Sequence, residues 1–265
     1  MCRHLAYLGP PVILRTLLFD PPYSLVRQSW APRDMRGGGT INADGFGVGW
    51  YPADPAPGQR REPGPAAAPR SGEPVRYRRA TPIWSDPTLP QLAAVTSSGA
   101  VLAAVRSATV GMPVSEAAAA PFAEGRWLFS HNGVVRGWPD STVPLAARLP
   151  VRDLLTLDAP TDAALLWALV RGRLRAGADP ATAVAETTAE VEAAAPGSRL
   201  NLLLTDGRTV VATAAGHALS LRATPEAVLV ASEPLDDDPG WRSVPDGQLV
   251  VATSAGVRTH ALAGA

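Results

Sequence analysis

The chain has no lysine, one cysteine and four histidines in 265 residues, and each shortage removes a class of chemistry. Without lysine there is no Schiff base to a carbonyl substrate and no phosphate-binding P-loop. A single cysteine cannot close an intrachain disulfide, which sets the chain apart from disulfide-built secreted scaffolds. No two of His4, His131, His217 and His260 stand at metal-ligand spacing, so neither a zinc hydrolase nor any bound metal is expected. No run reaches the roughly 20 apolar residues of a membrane span, and Arg3 and His4 interrupt the amino terminus before a signal-peptide core could form. Neither charge prevails: 24 basic residues offset 24 acidic ones, with no long basic run to hold nucleic acid or an anionic membrane. These exclusions predict a cytoplasmic globular protein, and 46% apolar content suffices for one sizeable core.

What is present gains meaning from its position. The lone cysteine is residue 2, directly behind Met1. Methionine aminopeptidase removes Met1 ahead of a small side chain, so the mature chain is expected to start at Cys2, with a thiol and a free amine on one carbon. A thiol reacts as its thiolate, with an ordinary pKa of about 8.5, while an α-amine titrates at about 7.7–8.0 and is partly neutral near pH 7. The amine can take the thiol proton directly or through one water. The competing reading, an accidental second-position cysteine, stands or falls with the rest of the chain.

Strand signals fall in the outer thirds and helix signals between them. Apolar runs predict strands over Cys2–Leu8, Gly45–Tyr51, Val101–Arg106 and Trp127–His131. Thr161-Asp162 precedes a helix over Ala163–Leu174, and Pro180 opens a second, to about Ala195. Leu200–Leu204, the turn Asp206-Gly207 and Val210–Thr213 read as a hairpin, followed by strands at Ala227–Ala231, Gln248–Thr253 and Val257–Leu262. Residues 52–74 are rich in Pro, Gly, Ala and Arg and read as a surface insertion within one domain spanning 1–265. The pattern argues for an α+β domain, two sheets enclosed by helices, and leaves the topology open.

Three further clusters could carry chemistry. Asn42–Trp50 contains three glycines, but neither the spacing nor a following helix fits a dinucleotide loop. Arg106 ends a strand, where a guanidinium can grip a carboxylate through two parallel hydrogen bonds or simply be solvated. Asn132-Gly133 follows Ser130-His131 at the end of an apolar run. It can supply two oxyanion donors, the Asn amide and the Gly backbone N–H, or make a tight turn.

Taken together and in this order, Cys2-Arg3-His4, Asn42–Trp50, Arg106–Thr109, Ser130–Gly133 and Thr161-Asp162 resemble the class II glutamine amidotransferases, of the N-terminal nucleophile hydrolase superfamily. Met1–Gly9, Gln28-Ser29, Ala31–Arg33, Ala104–Pro113 and Ala231–Pro239 resemble the ergothioneine-biosynthesis branch in particular. Members of that branch cleave the γ-glutamyl amide of γ-glutamyl-hercynylcysteine sulfoxide, without a synthase domain, cofactor or obligate protein partner. The resemblance implies a four-layer αββα sandwich acting on a small-molecule γ-glutamyl substrate. It implies Cys2 as nucleophile, Asn132 and Gly133 as oxyanion donors, Arg106 on the α-carboxylate and Asp162 on the α-ammonium. Asp162 equally suits a helix N-terminus. Asp44 and Gly45 would shape the pocket floor or make a turn, and His131 would support the oxyanion loop or act as a base. His4 could face either the site or the core. For the leaving group, Trp30, Trp84, Trp138 and Trp241 with Asp236–Asp238 are candidate contacts for a quaternary ammonium. A glutaminase subunit feeding ammonia to a separate synthase is the alternative function.

Overall fold

The computed structural model describes residues 2–35, 41–52 and 72–262. Among the described residues, thirteen strands form two sheets. In chain order they are β1 (Arg3–Ile13), β2 (Phe46–Trp50), β3 (Val75–Arg79), β4 (Ser97–Val105), β5 (Phe122–Glu124), β6 (Trp127–Val134) and β7 (Arg199–Thr205). They continue as β8 (Thr209–Ala214), β9 (Ser220–Ala223), β10 (Val228–Ala231), β11 (Trp241–Ser243), β12 (Gln248–Thr253) and β13 (Gly256–Ala261). One sheet has the order β11-β9-β10-β1-β4-β2-β3 and the other β13-β12-β8-β7-β6-β5. All pairings are antiparallel.

Alternation along each strand builds the layers, because successive side chains point to opposite faces. On β1, Leu5 and Tyr7 pack with Leu18, Leu25 and Leu89 of the short helices on one side, while Ala6 packs between the sheets with Leu128 and Leu203. The six-stranded sheet turns Phe129, Leu202 and Leu204 toward the helices Asp162–Arg175 and Pro180–Ala194. Phe129 stacks on Trp167 with ring centroids 5.4 Å apart. The order is therefore helix, sheet, sheet, helix, as the resemblance implied. Gly47 lets the layers meet: a Cβ there would sit 2.3 Å from the Ala120 carbonyl oxygen. The bare glycine face of β2 is an approach surface, not a phosphate loop.

The Asp162–Arg175 helix is almost wholly buried from Ala164 to Arg171, sandwiched between sheet and second helix. Burying Leu165, Leu166 and Leu169 contributes about 1.5–3 kcal/mol each. Thr161 caps it by accepting the Ala164 N–H at 3.2 Å. Asp179 does the same for the second helix, whose first residue is Pro180.

Strands β3, β5, β9 and β11 were not expected from the pattern. β3 has three arginines in five residues, which masks it as a strand. Arg76 and Arg78 alternate onto one face and donate to the carbonyls of Pro121 at 3.1 Å and Ala119 at 3.2 Å. Burial of both guanidiniums pushes their pKa values down. Apart from its ends, the insertion expected at 52–74 lies outside the described residues.

Candidate active site

Cys2 stands at the head of β1, the middle strand of the seven-stranded sheet, held between β10 and β4. The register pairs Arg3 with Val105, which sets Cys2 beside Arg106. Its Sγ lies 3.7 Å from the Ser107 carbonyl and the residue is partly exposed. A narrow cavity of about 40 Å³ opens at Cys2, lined by Arg106, Thr109, Met112, His131, Gly133 and Asp162 among others. Four segments far apart in sequence, carrying Cys2, Arg106, His131 with Gly133, and Asp162, thus meet at one site.

The two charged walls are built differently. Arg106 is 9% exposed, and its Nη1 donates to the Pro113 carbonyl at 2.8 Å. Asp44 and Gly45 stand behind it and do not line the cavity themselves. The Gly45 carbonyl accepts the Arg106 N–H at 2.8 Å, and the Asp44 carboxylate accepts the Ala108 N–H at 2.8 Å. Together they brace the end of β4. Asp162 is 6% exposed, accepting the Val135 N–H at 3.0 Å and the Ala163 N–H at 2.7 Å. Among the described residues, Arg106 pairs with no carboxylate and Asp162 with no cation. A buried cation and a buried anion, each without its own counter-ion, face the same small space. Such charges are costly to bury unless a ligand completes them.

Asn132 and Gly133 lie on β6, within a strand and not in a tight turn. Gly133 lines the cavity, but Asn132 does not; its Nδ2 donates to the Ser232 Oγ at 2.9 Å. Gly133 is demanded by close approach, because a Cβ there would fall 1.8 Å from the Arg199 carbonyl oxygen. We expect Gly133→Ala to lose about 1–3 kcal/mol or more of stability together with the shape of the cavity. A thermal melt superimposable on that of the wild type would contradict this. The same Arg199 carbonyl accepts from His131 at 2.9 Å. A carbonyl can only accept, so Nε2 carries the proton and His131 ties β6 to the start of β7.

His4 faces the buried interior between the sheets, 3.2 Å from the Ser130 Oγ. Burial, with lesser contributions from His131, His217 and Arg3, pushes its pKa down to about 3. It is a neutral core group, unsuited to deprotonate Cys2. Because unfolded His4 titrates near 6.5, the unfolded chain binds the extra proton between pH 6.5 and about 3, so stability falls as the pH drops through that window. The slope reaches about 1.4 kcal/mol per pH unit. His4→Gln should flatten the pH dependence of denaturant midpoints between pH 6 and 4, and parallel curves would contradict the assignment.

The residues expected to meet a leaving group are not at the cavity. Trp30 and Trp84 pack edge to face at 5.7 Å, and Trp138 packs against the helical core. Trp241 donates to Asp236 at 2.7 Å. Arg222 pairs with Asp236 and Asp238, while Arg33 pairs with Asp237, so each carboxylate of the acidic run already has an arginine partner. Sequence reading included Ser107, Thr109 and Thr161 in its motifs but gave them no place in the cavity wall, where all three stand. It also missed the contact of Ser232 with Asn132, since Ser232 entered only as part of the Ala231–Pro239 match.

Two facing antiparallel sheets between helices, with a cysteine heading a central strand beside a cavity, define the N-terminal nucleophile hydrolase fold. The chain belongs to the class II glutamine amidotransferases, whose family model matches residues 16–225. It is 40% identical over 258 residues to the γ-glutamyl-hercynylcysteine sulfoxide hydrolase of Mycolicibacterium smegmatis, covering 97% of this chain and 98% of that one. It is likewise 40% identical over 262 residues to the protein of the same name from Mycobacterium tuberculosis, covering 99% and 97%. Among solved structures, a glutamine aminotransferase class-II domain protein from Silicibacter pomeroyi superposes with a TM-score of 0.68 at 25% identity, covering 99% of this chain and 100% of that one. Among the described residues no helix is long and apolar enough to cross a membrane.

Proposed function

We propose that this protein hydrolyses the γ-glutamyl amide of γ-glutamyl-hercynylcysteine sulfoxide, giving glutamate and hercynylcysteine sulfoxide. The observation that carries the reading is that Arg106 and Asp162 are both buried, have no counter-ion among the described residues and face the cavity of Cys2. A zwitterionic α-amino acid head completes both charges at once, and the two mycobacterial relatives point to the rest of the substrate. Arg106 grips the α-carboxylate and Asp162 the α-ammonium, which fixes the side chain with its γ-carbonyl toward the sulfur.

With Met1 removed, the Cys2 amine takes the thiol proton and the thiolate attacks the γ-carbon. The carbonyl oxygen becomes an oxyanion, held by the Asn132 amide and the Gly133 N–H. The C–N bond then breaks as the protonated Cys2 amine returns its proton to the leaving nitrogen, leaving a thioester. A water, deprotonated by the same amine, attacks the thioester and releases glutamate and the free thiol. His131 holds the oxyanion strand, and Asp44 and Gly45 hold the wall that carries Arg106. The reaction calls for no cofactor and no obligate protein partner, and a reducing cytoplasm would preserve the thiol.

The test compares glutamate release from γ-glutamyl-hercynylcysteine sulfoxide and from glutamine by the purified protein alone. Turnover of the former is expected. Turnover of glutamine only, or only after a synthase is added, would replace this reading with that of an ammonia-supplying glutaminase.

A further inference from the structure

Asn132 is completely buried, and its side chain makes a single hydrogen bond among the described residues. The Oδ1 atom has no donor there. The one bond runs from Nδ2 to the Ser232 Oγ at 2.9 Å. Ser232 is itself 1% exposed and placed just past the end of β10. Its backbone N–H donates to the His4 carbonyl at 2.9 Å, and its Oγ accepts the His4 N–H at 2.9 Å. A hydroxyl has one proton, and that of Ser232 reaches the His4 carbonyl at 3.3 Å. Toward Asn132 it therefore offers a lone pair, which selects the NH₂ end of the amide and repels the oxygen end.

We propose that Ser232 is a positioning residue that aligns the nucleophile strand with the oxyanion amide, resting on the hydrolase reading above. One hydroxyl touches both parts: His4, two residues from Cys2 on β1, and Asn132 on β6 of the facing sheet. The amide has two N–H groups, and Ser232 takes one, so the second is held in a fixed direction for the developing oxyanion. Without the hydroxyl the amide can rotate and present its oxygen, which would repel negative charge. Ser232 touches no reacting atom in this account and acts wholly through Asn132 and β1.

The test is a double-mutant cycle on γ-glutamyl-hercynylcysteine sulfoxide turnover. Ser232→Ala is expected to lower kcat about tenfold or more with KM nearly unchanged, less than the roughly 10²–10³-fold lost with an oxyanion donor itself. In an Asn132→Ala background the same change should cost almost nothing, because residues acting as one unit are not additive. Ser232→Thr against Ser232→Val separates the hydroxyl from packing, since the two side chains have nearly one shape. Thr should retain kcat where Val loses it. Equal effects in both Asn132 backgrounds, or equal Thr and Val variants, would overturn the proposal. An inactive wild type would instead remove the hydrolase reading on which it rests.

Discussion

Cys2→Ala should abolish glutamate release, with a loss of about 10⁴-fold or more, as expected when the group that forms the covalent intermediate is removed. The same variant should still bind the γ-glutamyl substrate within a few-fold of the wild type, because Arg106 and Asp162 lie on other strands and helices and keep their own hydrogen bonds. Calorimetric binding with no turnover is therefore the expected pairing of results. Glutamate release at wild-type rates by the variant would eliminate Cys2 as nucleophile. Rapid quenching of the wild type should trap a glutamyl thioester, seen as added mass on the peptide that begins with Cys2. A two-residue extension ahead of Cys2 should be as damaging as the alanine, since it converts the amine to an amide. A histidine base would tolerate the extension. The structure already counts against His4 as that base, because it is buried and held neutral with a pKa of about 3.

Much of this site could be read in the sequence because its chemistry is concentrated in a few unusual residues. Cys2 has meaning at position 2 alone, and Thr161-Asp162 announces both a helix start and a carboxylate. The helix expected over Ala163–Leu174 forms as Asp162–Arg175, and β12 forms over Gln248–Thr253 as expected. What stayed hidden depends on contacts distant in sequence. β3, with three arginines in five residues, shows no strand pattern, and the carbonyls of Ala119 and Pro121 that take its guanidiniums are distant in sequence. Trp241 and Asp236–Asp238 read as a cation-binding wall until Arg222 and Arg33 are seen to occupy it. Ser232 carries no signal of its own, since one serine among many becomes informative only when two sheets place it between His4 and Asn132. Gly133 reads in the sequence as an oxyanion donor or a turn residue, and neither reading shows that the Arg199 carbonyl leaves no room for any side chain.

The second large effect is expected at the charged walls, and it can be assigned group by group. Arg106→Leu should reduce kcat/KM by about 30- to 1,000-fold, equivalent to the roughly 2–4 kcal/mol lost when one partner of a buried charge pair is removed. Asp162→Asn should cost a similar amount, with some loss of stability because an amide cannot accept from both Val135 and Ala163. Activity loss alone would not show which wall holds which group, so each variant is crossed with a truncated substrate. A γ-amide lacking its α-ammonium should be a poor substrate for the wild type, yet scarcely poorer for Asp162→Asn than the full substrate is. A γ-amide lacking its α-carboxylate should behave the same way toward Arg106→Leu. The crossed combinations should multiply their losses, because those deletions touch separate contacts. If both substrate truncations couple only to Arg106, Asp162 is reduced to a helix-end charge and a tie between β6 and the helix. Coupling that follows the two diagonals places the zwitterionic head, and from it the γ-carbonyl, against Cys2.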